Sequence, residues 1–360
     1  MKRICSIAEI VFLLMGTIVG SGFLSGREIV TFFGKNILVL SVFAGILFFL
    51  TSLQLLYAGK NYGNLEKANA ALFRKAEKGV NAAVFFCLFA VVSASLAMCD
   101  SAFNGMIGVG GGVPVASSVT LLIAFFVARR GIEGVKKLNV FLVPLMLILT
   151  VAFLCGRGKF HFGAPTYPSR SSVFGVIFYT GFNMFLSAAV IARAGNTDKT
   201  TVIASSAVTA LLTVTLILLI YGAINYEGIN AADADLPLLY VFSDSALMSA
   251  AFGAVLYAGA LTTVVCSYYP LSEIAKTGFG PRGSILAAVC VFVVSRLGVK
   301  PIVRWVYPAA GILGALYFIA LFIAQAYKKG KMGNIKNKRS EKEKTDVEEK
   351  KKEYSETVRC

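Results

Sequence analysis

Gly16, Gly20, Gly22 and Gly26 interrupt an otherwise apolar run from Ile7 to Phe33. In hydrocarbon an unpaired backbone N–H or C=O costs several kcal/mol, so a spanning helix breaks only where protein, water or a ligand supplies new partners. Unwinding over Val19 to Gly22 would turn such groups toward a ligand near the membrane midplane. A half-helix restarting at Phe23 would aim free N–H groups and a positive dipole end into the cavity, which suits a carboxylate. Gly20, Ser21 and Gly22 give unobstructed backbone access, and Ser21 adds a hydroxyl.

A second candidate break lies in Phe178-Tyr179-Thr180-Gly181-Phe182-Asn183. If the helix stops there, the carbonyls of Phe178, Tyr179 and Thr180 can receive an ammonium group, and Asn183 can orient either end of the solute. Phe178, Tyr179 and Phe182 would enclose a side chain or simply pack. Gly181 has an alternative reading as a close-packing residue between membrane helices.

Gly259, Thr262 and Thr263 recur at i, i+3 and i+4 and so share one helix face. Their two hydroxyls and nearby carbonyls make a hard-oxygen cage of the kind Na⁺ requires. Ser and Thr in membrane helices also bond the preceding turn or a neighbouring helix. Acids inside spans are costly and usually face a cavity or a partner. Glu9 and Asp100 are therefore candidates for proton coupling, and Arg27 and Glu28 for an outer gate. Glu9 has the alternative of pairing with a cytoplasmic Lys or Arg, and Asp100 that of reaching interfacial water.

The elements that must position these groups follow from composition. The chain has 360 residues, 57% hydrophobic and 15% charged, and a mean hydropathy of +0.73. Repeated apolar runs of spanning length make it an all-α polytopic membrane protein. Ten segments are expected: 7–33 (broken), 37–58, 80–103, 113–129, 138–155, 172–194 (broken), 201–224, 246–271, 284–298 and 302–327. Glu9 and the spans that follow argue against a cleaved signal peptide. The seven cysteines lack metal-ligand or redox spacing and read as small apolar packing residues.

The net charge of +16 tracks the membrane and is no sign of nucleic acid. With the N-terminus cytoplasmic, most of the 35 Lys and Arg fall on the cytoplasmic side, which puts both termini inside a cytoplasmic membrane. Loop 225–245 carries Glu227, Asp233, Asp235 and Asp244 with no Lys or Arg, as suits an external loop. Ten spans divide into halves of five, about 7–155 and 172–327. Because five is odd, the second half starts from the opposite face, giving a 5+5 inverted repeat with broken first and sixth helices. The transporter domain is thus 1–327. Residues 328–360 read as a charged, disordered cytoplasmic tail, with Lys328, Lys329 and Lys331 at anionic head groups.

Other classes find less support. One histidine, His161, and no HExxH leave no metal-hydrolase pattern and no catalytic residues to name. Gly108 to Gly112 lacks the Lys-Ser/Thr of a phosphate loop and reads as a turn. A channel would use charge rings or repeated pore loops. A receptor on the same scaffold, binding without translocation, needs the same pocket and stays open as an alternative.

Gly16-Thr17-Ile18-Val19-Gly20-Ser21-Gly22-Phe23 resembles the first-helix signature of the amino acid–polyamine–organocation superfamily. The stretch Gly20 to Ile29, with Phe32-Phe33, is similar to bacterial YkvI-type membrane proteins. The resemblance covers nearly the whole chain apart from the tail. It implies the LeuT-type 5+5 fold and alternating access, while the YkvI-type family offers no established substrate. One carboxylate-binding end and one amine-binding end define an amino-acid-shaped pocket, so the expected function is secondary transport of a small amino acid or related organic solute, with Na⁺ or H⁺ as coupling ion and no other cofactor. Set beside sodium-coupled members, it implies carbonyls from Gly16 and Val19 completing a site with Gly259, Thr262 and Thr263. Substrate identity, direction, coupling ion (Na⁺, H⁺ or none) and oligomeric state stay open.

Overall fold

The computed structural model describes residues 2–107, 114–167, 172–194, 197–234, 236–298 and 308–327. Met1–Phe318 form one compact unit. A second begins at Ile319, and its described part, to residue 327, is helical. The glycine-rich turn at 108–112, Asp235 and the charged tail lie outside the described residues.

The first span is interrupted as expected. It comprises α1 (Lys2–Ile18), a single turn α2 (Ser21–Leu24) and α3 (Arg27–Phe32). There follow α4 (Ile37–Tyr62), α5 (Leu65–Phe73), α6 (Glu77–Ile107), α7 (Val115–Arg129), α8 (Gly131–Arg157) and α9 (Val173–Ala194). The remainder is α10 (Lys199–Glu227), the short α11 (Ile229–Asp233) and α12 (Pro237–Val241), α13 (Ala246–Phe279), α14 (Gly283–Ser295) and α15 (Pro308–Tyr327).

Among the described residues, 7 helical stretches are long and apolar enough to cross a membrane, with Ala246–Ser295 counted as one. The other expected crossings are the interrupted first segment, whose pieces are individually too short, and the 15-residue α7. Helix α8 shows the logic of a lipid-facing element. Asn139, Val143, Met146, Thr150 and Leu154, spaced by three and four, are buried, while Phe141, Leu145 and Ile148 on the other side are exposed. A soluble helix would place polar residues on that outer face.

The expected break in the sixth segment does not occur. Helix α9 runs uninterrupted from Val173 to Ala194, and Gly181 serves packing instead. A β-carbon there would lie 2.7 Å from the backbone N of Ala315 and 2.8 Å from the carbonyl O of Gly311. The glycine lets two helix backbones touch, the small-residue mode of membrane helix association. The carbonyl oxygen of Phe178 would lie 2.7 Å from a β-carbon on Gly311 in that same interface, and Phe178 is not among the residues that line the internal cavity beside the break in the first span. Cys87, Cys99 and Cys266 are buried free thiols, in keeping with a packing role.

Candidate functional site

The interruption of the first span is built by backbone geometry. Helix α1 closes with Val19 N–H donating to Met15 O at 2.7 Å, and Gly20 is extended (φ −87°, ψ −174°). Among the described residues, the carbonyls of Gly16 to Val19 and the N–H groups of Gly20 to Phe23 have no backbone partner. These are the groups every helix end leaves unpaired, here facing each other across the break. The restart comes at Ser21, not Phe23. It lasts one turn before Gly26 (φ +79°) redirects the chain, too short for the extended half-helix dipole expected from sequence.

External contacts hold this turn. Ser25 O accepts from Leu238 N–H at 2.7 Å, and Ser25 Oγ donates to Gly22 O at 3.0 Å. Half-buried Arg27 donates to the carbonyls of Ala232 and Ala234 at 3.0 and 3.3 Å. Arg27 therefore ties the break to the loop between α10 and α12.

Glu28 goes the other way. Its side chain is only 7% exposed and folds back against Gly22. Asn183 of α9 lines the same internal cavity as Glu28, and Glu28 Oε2 is buried without a partner. Asn183 also donates through Nδ2 to Tyr179 O at 3.0 Å. Tyr179 packs against Phe32, Phe33 and Phe48, and its hydroxyl, like Thr180 Oγ1, is buried and unpartnered.

Glu28, Asn183, Gly20, Ser21, Gly22 and Thr263 line one internal cavity with Thr17, Ser95, Ser187 and Ser267. Its volume, about 20 Å³ for the centre of a water-sized sphere, admits about one water. A larger solute requires the helices to part. Apart from Glu28, the lining side chains are uncharged.

The residues expected to hold Na⁺ are brought only partly together. Thr262 and Thr263 hydroxyls both donate to Gly259 O, at 2.9 and 3.0 Å. That leaves their oxygen lone pairs free to face a cation. Thr263 Oγ1 sits where a β-carbon on Gly20 would be, so α13 lies directly against the break. Gly16 instead faces Asn139 of α8, and neither Gly16 nor Val19 lines the cavity.

Two coupling candidates fall elsewhere. Glu9 is exposed on α1. Asp100 is consumed by a structural network: Arg296 Nη2 donates to its Oδ2 at 2.7 Å, and Ser117 N–H, opening α7, donates to its Oδ1 at 2.8 Å. Burial at the start of a helix, rather than access to the cavity, explains that carboxylate. Glu28 moves from the outer gate to the cavity wall. The signal for it was present, since it is the single acid between Glu9 and Glu66 and an acid inside a span marks a functional position.

No family model matches the chain. It is similar to the uncharacterized membrane protein YkvI of Bacillus subtilis (strain 168), 24% identical over 346 residues that cover 89% of this chain and 96% of the relative. Among solved structures it resembles MhsT in complex with L-phenylalanine (TM-score 0.55, 15% identity, 88% of this chain and 84% of that one). It also resembles the Eremococcus coleocola manganese transporter bound to an aromatic bis-isothiourea compound (TM-score 0.55, 14% identity, 90% and 77%). A third likeness is to a Na⁺-coupled sialic acid symporter (TM-score 0.53, 15% identity, 90% and 74%). The chain is a membrane protein with the LeuT-type fold of these transporters.

Proposed function

We propose that this protein is a secondary transporter that moves a small amino acid or related organic solute across the cytoplasmic membrane by alternating access. In this reading, ten spans form a 5+5 inverted repeat over 1–327, with repeats of about 7–155 and 172–327, both termini inside and a cytoplasmic tail from 328. The observation that carries it is the break at Val19-Gly20. Unpaired backbone groups there open onto a cavity shared by Glu28 of α3, Asn183 of α9 and Thr263 of α13. A purely structural break would be sealed by its neighbours, whereas this one adjoins a polar cavity. The fold shared with MhsT and the sialic acid symporter supports a solute carried with a coupling ion, Na⁺ at Thr262 and Thr263 or a proton.

Counterflow in sealed liposomes tests the reading. Liposomes loaded with unlabelled amino acids or amines should accumulate the labelled compound when the protein is present. Gly20→Leu, whose side chain would occupy the place of Thr263 Oγ1, should abolish the exchange. Binding without exchange would sink the transporter reading in favour of a receptor.

A further inference from the structure

The expected arrangement put the ammonium end of the solute on carbonyls of a broken α9. With α9 continuous, those carbonyls are engaged in the helix, and the positive end of a ligand needs another partner.

Glu28 supplies it. Its carboxyl group stands in the cavity wall beside Asn183, more than nine-tenths buried, with Oε1 against Gly22 and Oε2 unpartnered. No Lys, Arg or His is among the described residues lining the cavity. The adjacent Arg27 is turned away onto the carbonyls of Ala232 and Ala234. An ionised carboxylate removed from water costs several kcal/mol unless a positive partner compensates it, and here the protein offers none. Gly22 completes the design, because any side chain there would displace the carboxylate. Hydroxyls of Thr17, Ser95, Ser187 and Ser267 lie around the same space, ready to accept the remaining protons of an ammonium group.

We propose that Glu28 is the anionic anchor of the cavity and that the solute bears an amine, docking its ammonium group on the free carboxylate oxygen. This rests on the reading of the cavity as the solute site, and it narrows the solute to organic cations and amine-bearing zwitterions. A solute bearing only a carboxylate finds no cationic side chain among the described residues lining the cavity.

The test is thermal unfolding of the full chain in detergent with short-chain alkylamines, the matching amino acids and the matching carboxylates. A ligand that binds the folded state raises the midpoint. Amine-bearing compounds should raise it and carboxylates without an amine should not. Glu28→Gln, which keeps size and removes charge, should weaken amine binding about tenfold or more, and Glu28→Asp should fall between. Carbodiimide labelling of Glu28 in the unaltered protein, read by mass spectrometry, should be slowed by the amines, which covers a Gln variant that fails to fold.

Carboxylates binding as well as amines, or no amine binding at all, overturns the proposal. So does amine binding that survives Glu28→Gln while its pH dependence disappears, which would make Glu28 a proton carrier. A midpoint that responds to sodium alone through Glu28 would make it an inorganic cation site. Amines that bind through Glu28 yet never exchange in liposomes would sink the transporter reading and leave this assignment standing. Exchange of a solute indifferent to Glu28→Gln would do the reverse.

Discussion

The carboxyl group of Glu28 lies so close to the backbone of Gly22 that a β-carbon on Gly22 would overlap Oε1 and stand 2.9 Å from Cδ. The turn at Gly26, with its positive φ, reverses the chain between them. The backbone break and the buried acid are therefore one construction: Gly20 lies in the break, and Gly22, in the turn that follows it, makes the seat for the carboxylate.

Gly22→Ala tests this directly. The obstructing atom is the far end of a flexible side chain, so the carboxylate can swing aside and the fold should survive with nearly the same thermal midpoint. The price falls on the site. Ligand binding, read as the ligand-induced shift in that midpoint, should weaken about tenfold, the loss of one well-placed charged hydrogen bond. An unaltered ligand response would separate the two residues functionally.

Gly314→Ala should do the opposite, lowering stability without touching the cavity. Its β-carbon would overlap Gly181 O and lie 2.5 Å from the carbonyl carbon, atoms that cannot move without shifting α9. A loss of about 1–3 kcal/mol is expected from such overpacking. Gly156→Ala in α8, with nothing within 4 Å, is the control and should be neutral or slightly stabilising. Equal midpoints for the two variants would rule out the tight contact between α9 and α15.

The Gly16–Gly26 cluster and Gly181 mark the boundary of what the residues alone can decide. The cluster from Gly16 to Gly26 was legible as a break because several glycines and a hydroxyl fall within one apolar span. Gly181 is a single glycine, and helix breaks and close helix contacts use the same residue for different reasons. Only the facing Gly311 and Gly314 decide between them. The pairing of Asp100 with Arg296, separated by 196 positions, carries no periodic signal at all. Glu28 was visible as an acid in a span, but its direction depends on the single turn of α2 and the φ of Gly26, which composition does not encode.

Asp100→Ala should destabilise the protein and leave solute affinity unchanged. Removing the carboxylate costs Arg296 its ion pair and leaves the Ser117 N–H without its acceptor, while the hydroxyls of Ser117 and Ser295 still accept from the guanidinium. Because the arginine is 34% exposed, water softens the loss to about 1–3 kcal/mol. The check is a pair of titrations, thermal midpoint and ligand affinity, on the same preparations. A change in coupling or affinity with normal stability would return Asp100 to the transport mechanism.

At the start of α10, Asp198 caps the helix by accepting from the Thr201 hydroxyl and from Thr201 N–H at 3.2 Å. The Thr201 hydroxyl first, with the Thr201 N–H and Arg3 adding to it, holds this carboxyl below the ordinary carboxylate value. A group depressed on folding stabilises above its unfolded value, and that contribution is lost as pH falls through the folded one. Asp198→Ala should therefore lower the midpoint at neutral pH, and the gap to the unaltered protein should close in acid. A gap independent of pH would mean that charge plays no part in the cap.

Thr263 bears the most exacting test of the coupling ion. Its hydroxyl proton is committed to Gly259 O, so what it offers the break at Gly20 is an oxygen lone pair, which a cation can use and a hydrogen-bond acceptor cannot. Thr263→Ser keeps that oxygen, whereas Thr263→Ala removes it while disturbing little packing. If Na⁺ binds there, sodium should raise the thermal midpoint of the unaltered protein and the Ser variant relative to choline, and the Ala variant should lose most of the response. Amine binding measured without sodium should survive in all three, because Glu28 and not Thr263 holds that charge. A sodium response that persists in Thr263→Ala would exclude this oxygen from the site. No sodium response in any of them would leave proton coupling or exchange without an ion.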